Sequence, residues 1–187
     1  TDQAGAGRSH LKAFVHAIDS FEWSRPVRAG LDGQELVYEA AGVVALITPW
    51  NWPMNQVSLK VGAAVAAGCT MVLKPSEIAP MSSLIFAEIM DDAGIPAGVF
   101  NMVNGDGVGV GSTLTSHEGV DVVSFTGSTR AGIMISKSAA DTVKTVSLEL
   151  GGKSPNLVFD DTDIEAAVTR GAEFCFYNSG QSCNAAT

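Results

Sequence analysis

The sequence predicts an α/β fold, a parallel sheet covered by helices on both faces. Three observations predict it. Short apolar runs such as Val43-Val44-Ala45-Leu46-Ile47 lack alternation, as strands buried on both faces do. Helical stretches stand between these runs, and each strand–helix–strand passage reads as a right-handed crossover. The polar and glycine-rich segments fall directly after the runs, where parallel sheets collect ligands at the carboxyl ends of their strands.

The elements follow in order. Residues 10–21 carry Leu11, Phe14, Val15 and Ile18 on one helical face, and Pro26 closes anything helical before it. Residues 24–40 read as an exposed hairpin around Asp32-Gly33, a pair that tolerates positive φ. A buried strand is predicted at 43–47, a helix at 55–67 stopped by Gly68, a strand at 70–74, a helix at 80–93 stopped by Gly94, and a strand at 99–103. A glycine-rich stretch then opens a short helix at 109–116. A strand at 122–125, a helix at 129–140, strands at 145–150 and 156–159, and a helix from 164 to about 177 complete the chain.

Composition bounds the function. Of 187 residues 46% are hydrophobic and 17% charged, enough apolar content to bury a core and to exclude a disordered chain. The formal net charge of −9 argues against nucleic acid or an anionic membrane surface as a partner. The longest nearly apolar run, residues 61–73 between Lys60 and Lys74, is shorter than the roughly 18 to 20 residues that span a bilayer. The opening residues do not read as a signal peptide. Cys69, Cys175 and Cys183 form no Cys-x-x-Cys pair or disulfide framework, so a reducing, cytoplasmic setting is expected. His10 and His16 read as surface helix residues, and no metal site is expected. The chain opens on Thr1 rather than Met, and a piece of a longer protein is expected.

Several loops could carry chemistry. Gly105-x-Gly107-x-Gly109-x-Gly111 misses the Gly-x-Gly-x-x-Gly spacing, and either a ligand loop or a flexible turn fits it. Gly127-Ser128-Thr129 lies between a strand and a helix, where free backbone N–H groups attract anions. Ser128 or Thr129 could equally be an ordinary helix cap. Lys74-Pro75-Ser76-Glu77 could bracket a ribose, with Glu77 repelling a 2′-phosphate, or form a surface ion pair or capping box. Cys183 sits among small polar residues where a new helix is expected to open, a setting that favours a thiolate. Cys69 and Cys175 read as small buried residues. Glu149 ends a strand before Gly151-Gly152, a costly place for a charge, which suits either a general base or a hydrogen-bonded structural carboxylate. Asn51 could donate to an oxyanion, Trp50 and Trp52 read as packing residues, and Lys60 is either a snorkelling lysine or a partly buried proton carrier.

Taken together, Ile47-Thr48-Pro49-Trp50-Asn51, Lys74-Pro75-Ser76-Glu77, Phe125-Thr126-Gly127-Ser128-Thr129, Leu148-Glu149-Leu150-Gly151-Gly152-Lys153 and Gly180-Gln181-Ser182-Cys183 resemble the NAD(P)-dependent aldehyde dehydrogenase superfamily. The resemblance runs from about residue 22 nearly to the end. It implies a Rossmann-like parallel sheet with helices on both faces, a protruding β-hairpin and the start of a second, catalytic α/β domain. The implied boundaries are a helix of the N-terminal part at 1–21, an oligomerisation hairpin at 22–40, a dinucleotide-binding domain at 41–151 and the beginning of the catalytic domain at 152–187. By the same resemblance Cys183 matches the catalytic thiol, Glu149 the general base, Asn51 the oxyanion donor beside the Cys183 backbone N–H, and Lys60 a proton-relay lysine. Ile47, Thr48, Pro49, Trp50, Lys74, Ser76, Glu77, Gly107, Phe125, Thr126, Gly127, Ser128, Leu150 and Gly151 match cofactor-binding positions. The implied cofactor is NAD, with NADP as the alternative, and the implied partners are a small aldehyde and further copies in a homo-dimer or homo-tetramer. A nucleotide-binding piece without turnover, or a relative releasing acyl-CoA, are the competing functions. The aldehyde itself is not legible.

Overall fold

The computed structural model describes residues 2–28, 30 and 33–185. Its centre is a five-stranded parallel sheet built from β3 (Val43–Ile47), β4 (Thr70–Lys74), β5 (Phe100–Met102), β6 (Val122–Gly127) and β7 (Thr145–Leu150). The strand order is β5-β4-β3-β6-β7, so the first sheet strand is central and the chain winds outward in both directions. Register is regular: Val44 pairs with Met71 on one side and Val122 on the other. The apolar runs predicted as strands at 43–47, 70–74 and 145–150 lie where expected, and β6 runs on to Gly127.

Helices cover both faces. On one face α2 (Pro53–Ala66) and α3 (Met81–Asp92) pack Val57, Val61 and Phe86 against Val44, Leu46, Met71 and Leu73. Val57 and Val61 are fully buried, each contributing roughly 1.5 to 3 kcal/mol. On the other face α4 (Ser112–Ser116) and α5 (Thr129–Ala140) bring Leu114 and Ile135 against Ala45, Ile47, Val123 and Phe125. Pro53 opens α2 where its missing N–H costs nothing, and Gly68 and Gly94, at φ +72° and +76°, turn the chain back after α2 and α3.

Helix α1 (Asp2–Ser20) begins well before residue 10, where the apolar pattern starts. Its first turns are held by docking on α2: Gly7 is buried beside Met54 and Ser58, and Gly62 admits the Phe14 ring where a Cβ would collide. His10 is not a free surface residue; it is half-buried, with Nδ1 3.0 Å from Ser58 Oγ. The hairpin forms as predicted, β1 (Ser24–Pro26) antiparallel to β2 (Glu35–Val37), while Asp32 of its turn lies outside the described residues.

Further expectations fail. Residues 156–159 form no strand, and Leu157, Val158 and Phe159 stay exposed. A strand requires a neighbouring ladder, and none of the described strands pairs with this segment. Cys183 lies in a turn after an irregular, left-handed bend at Tyr177–Gly180, so no helix opens there among the described residues; Ala186 and Thr187 lie outside them. Helix α6 (Ile164–Phe176) ends close to prediction, but its Cys175 is half-buried rather than buried.

Between α5 and β7, Val143 is exposed and held at φ +54°. A β-branched residue in the left-handed region carries a penalty of roughly 1 to 2 kcal/mol, whereas asparagine tolerates it. Val143→Asn therefore raises unfolding stability by about 1 kcal/mol, read as a higher urea midpoint. An unchanged or lower midpoint contradicts this.

Candidate active site

The strand order creates a crevice at one end of the sheet. Chain leaving β3 runs to α2 on one face, and chain leaving the adjacent β6 runs to α5 on the other. In doubly wound sheets such a switch point opens a cleft at the carboxyl ends. The loops after β3 and β6 flank it, and the loops after β4, β5 and β7 extend it on either side.

Under the cleft the β3 and β6 ends are close-packed. Thr48 and Thr126 are buried, and Thr126 Oγ1 lies 3.1 Å from Gln56 Oε1 at the start of α2. Thr48 Oγ1 is buried with no partner among the described residues. The Phe125 ring lies against Gly127 so closely that any Cβ there would overlap it. Ser128 caps α5, its Oγ accepting from Ala131 N at 3.3 Å, so the ordinary cap is realised. The cap leaves the N–H groups of Thr129 and Arg130 without intrahelical acceptors, as at any helix start.

Past β4, Lys74 is buried and donates to the Pro75 carbonyl at 3.0 Å and to Glu77 Oε2 at 3.3 Å. Glu77 is exposed; its own backbone N–H and the Lys74 ammonium hold its carboxyl below the usual carboxylate range. The glycine-rich loop folds into one wide π-helical turn, Gly107–Gly111, capped by Asp106 Oδ1 on Gly109 N at 2.8 Å. Gly111 sits against the Lys74 side chain, so the β4 and β5 loops adjoin, and Gly107 has open space beside it. Trp50 is exposed, Ile47 and Ser76 are buried, and Pro49 is half-buried.

Cys183 and Glu149, far apart in sequence, line one cavity of about 480 Å3 with Trp52, Gln56, Tyr177 and Asn184. Both are exposed to it. Glu149 is thus not the buried charge its strand-end position suggested: alternation along β7 turns Ser147 and Glu149 outward and Val146, Leu148 and Leu150 inward. Gly152, two residues past β7 in the Gly151-Gly152 pair, leaves a Cβ position only 3.6 Å from the Cys183 carbonyl.

The thiol loop is stitched to the β3 loop. Asn51 Nδ2 donates to the Gln181 carbonyl at 2.8 Å, and Trp52 Nε1 donates to Ser182 Oγ at 3.1 Å. Ser182 Oγ in turn donates to Asn184 Oδ1 at 2.8 Å, and the Trp52 and Tyr177 rings stack at 5.4 Å. Sequence reasoning passed over Gln56 and Asn178, and named Ser182 only as part of the Gly180-Gln181-Ser182-Cys183 motif without a role. Only Asn178 carried a local signal, in the turn-like Tyr177-Asn178-Ser179-Gly180; the rest depends on long-range pairing.

On the α2 face, Lys60 is partly buried rather than snorkelling. Its Nζ donates to Ser124 Oγ at 2.7 Å, in a second cavity that also reaches Glu149. Burial lowers its pKa to about 8, with Glu149 opposing the shift. A base whose folded pKa lies below its unfolded value makes the fold more stable as pH rises between the two, here from about 8 to 10.5. Lys60→Met removes that slope, a difference of about 2 to 3 kcal/mol between its ends. Urea midpoints of parent and variant at both ends of that window measure it; identical slopes contradict it.

Among the described residues no helix is long and apolar enough to cross a membrane, and no cluster of His, Cys, Asp and Glu has metal-ligand geometry.

Comparison with known proteins gives a consistent result. The model of the aldehyde dehydrogenase family matches residues 6–187. A 3-succinoylsemialdehyde-pyridine dehydrogenase of Pseudomonas sp is 55% identical over 98% of this chain and 38% of its own length. A crystal structure of aldehyde dehydrogenase from Bartonella henselae superposes with a TM-score of 0.95 at 58% identity, over 99% of this chain and 39% of that one. A cysteine-to-alanine mutant of aldehyde dehydrogenase C from Pseudomonas syringae, in complex with NAD+ and octanal, superposes with a TM-score of 0.94 at 45% identity, over 99% and 37%. The chain thus spans about 38% of the length of the curated relatives it matches.

Proposed function

This chain belongs to the aldehyde dehydrogenase family, and from that premise we propose that it forms the dinucleotide-binding core and thiol loop of an enzyme oxidising an aldehyde to a carboxylic acid with NAD+. One observation carries the reading: Cys183 and Glu149, from separate segments, face one cavity beside the sheet's switch point.

The residues suit a dinucleotide. The exposed Glu77 carboxylate, held ionised beside Lys74, can accept from ribose hydroxyls and would repel a 2′-phosphate, which favours NAD over NADP. The start of α5 offers N–H donors and a positive helix end to phosphate oxygens, and Gly127 just before it makes room for the Phe125 ring. The Pseudomonas syringae relative was crystallised with NAD+. Ile47, Thr48, Pro49, Trp50, Ser76, Gly107, Phe125, Thr126, Leu150 and Gly151 complete the proposed cofactor contacts.

In the proposed reaction the Cys183 thiolate adds to the aldehyde carbon. The resulting oxyanion takes hydrogen bonds from Asn51 Nδ2 and the Cys183 backbone N–H. Asn51 has a second N–H for this, since only one is needed for Gln181. Bound NAD+ supplies the acceptor for the hydride that leaves as the thiohemiacetal becomes a thioester. Glu149 then removes a proton from a water as its oxygen attacks the thioester, which releases the acid and restores the thiolate. Lys60 and Ser124, which line a second cavity together with Glu149, are the proposed route by which that proton leaves. The hairpin β1–β2 is the proposed contact to further copies in a homo-dimer or homo-tetramer, and residues 152–187 are the proposed opening of a catalytic domain.

The test is aldehyde-dependent formation of reduced cofactor by the protein that carries this chain, followed across a panel of aldehydes; no product with any of them overturns the proposal. In the same assay Asn51→Ala lowers kcat about 10²- to 10³-fold, roughly 3 kcal/mol, with cofactor affinity retained. Parent-like turnover removes Asn51 from its proposed role.

A further inference from the structure

We infer that Asn178 is a positioning residue that sets the Asn51 amide against Cys183. The inference rests on the reading of Cys183 as nucleophile and Asn51 as oxyanion donor. Its basis is a closed set of hydrogen bonds between two loops far apart in sequence. Asn178 Nδ2 donates to the Asn51 carbonyl at 2.8 Å and to the Gln181 carbonyl at 3.3 Å. Asn51 Nδ2 donates to the same Gln181 carbonyl at 2.8 Å. Both lone pairs of that carbonyl are therefore engaged, and the side chain of Asn178 holds the main chain of Asn51 while the side chain of Asn51 holds the main chain just before Cys183.

The backbone supports the assignment. Asn178, Ser179 and Gly180 take successive φ values of +52°, +58° and +73°, a left-handed run that non-glycine residues rarely adopt. The Gln181 N–H closes the turn on the Asn178 carbonyl at 3.1 Å. Asparagine tolerates the left-handed region and also offers two N–H donors, which serine or aspartate would not. Asn178 is half-buried beside the thiol cavity but does not line it, so its influence passes through Asn51 and Gln181.

Two variants separate the amide from the backbone. Asn178→Gly keeps the left-handed conformation and removes both donors. Asn178→Asp keeps the shape and places acceptors against two carbonyls. Each is made alone and together with Asn51→Ala, and kcat, KM for the aldehyde and cofactor affinity are measured in the whole protein. The expected result is a 10- to 100-fold fall in kcat for the single variants, the order that a misplaced catalytic group produces, with KM and cofactor affinity unchanged. In the Asn51→Ala background the further loss shrinks to about threefold or less, because residues acting through one interaction are not additive. Parent-like kcat in both single variants overturns the inference. So does an equal fold-loss in both backgrounds, which marks a general structural role. Cys183→Ala with retained turnover overturns the underlying reading instead.

Discussion

Replacing Cys183 with alanine is expected to abolish the proposed aldehyde oxidation, a loss of about 10⁴-fold or more, with cofactor affinity unchanged. The size follows from the chemistry. In the proposed scheme hydride leaves from a covalent adduct on this thiol, and removing a nucleophile from a covalent mechanism costs this much in enzymes where it has been separated from binding. The specificity follows from the structure. Cys183 is in an exposed turn, and no described hydrogen bond uses its side chain. Alanine leaves the links from Asn51 to Gln181 and from Trp52 to Ser182 in place, since they fall on neighbouring residues. Activity and cofactor binding should therefore separate cleanly. Turnover within tenfold of the parent, or loss of both properties together, removes Cys183 from the centre of the reaction.

Replacing Glu149 with glutamine yields one burst of reduced cofactor per active site and then near-silence, with steady turnover lowered about 10²- to 10⁴-fold. Glutamine matches glutamate in shape but cannot take a proton. Thiol addition and hydride departure do not need that base in the proposed scheme, whereas attack of water on the thioester does. The exposed position of Glu149 in the thiol cavity supports this division, because the group meets water directly. Rapid mixing measures burst amplitude, and the acyl group is seen by intact mass. No burst at all places Glu149 before hydride departure; an undiminished steady rate removes it from the mechanism.

The sheet was legible where its residues answer to burial alone. Val43–Ile47 and Met71–Leu73 are unbroken apolar runs, and they fall within strands β3 and β4. Which strand lies next to which was not legible, since periodicity marks elements and not neighbours. The start of α1 escaped for a related reason: its glycines disfavour a helix locally, and only α2 supplies the docking surface. Residues 156–159 have a strand's composition without a strand's neighbour. The positions after β3, β4, β6 and β7 drew notice because polar residues there need a reason, and the structure gathers them around one cleft. The outward face of Glu149 and the partners of Asn178 were hidden because each depends on a segment more than a hundred residues or a whole strand away.

The central place of β3 has a consequence for how the protein is made. Its β4 edge is covered soon after Thr70–Lys74 emerges, but its β6 edge waits for Val122–Gly127. At about 5 to 20 residues per second that delay is roughly 4 to 15 seconds on the ribosome. Throughout it, an apolar ribbon with unsatisfied amides faces solvent, a ready template for the same ribbon on a neighbouring nascent chain. Chaperone occupancy during translation should peak in that interval and fall once β6 closes the edge.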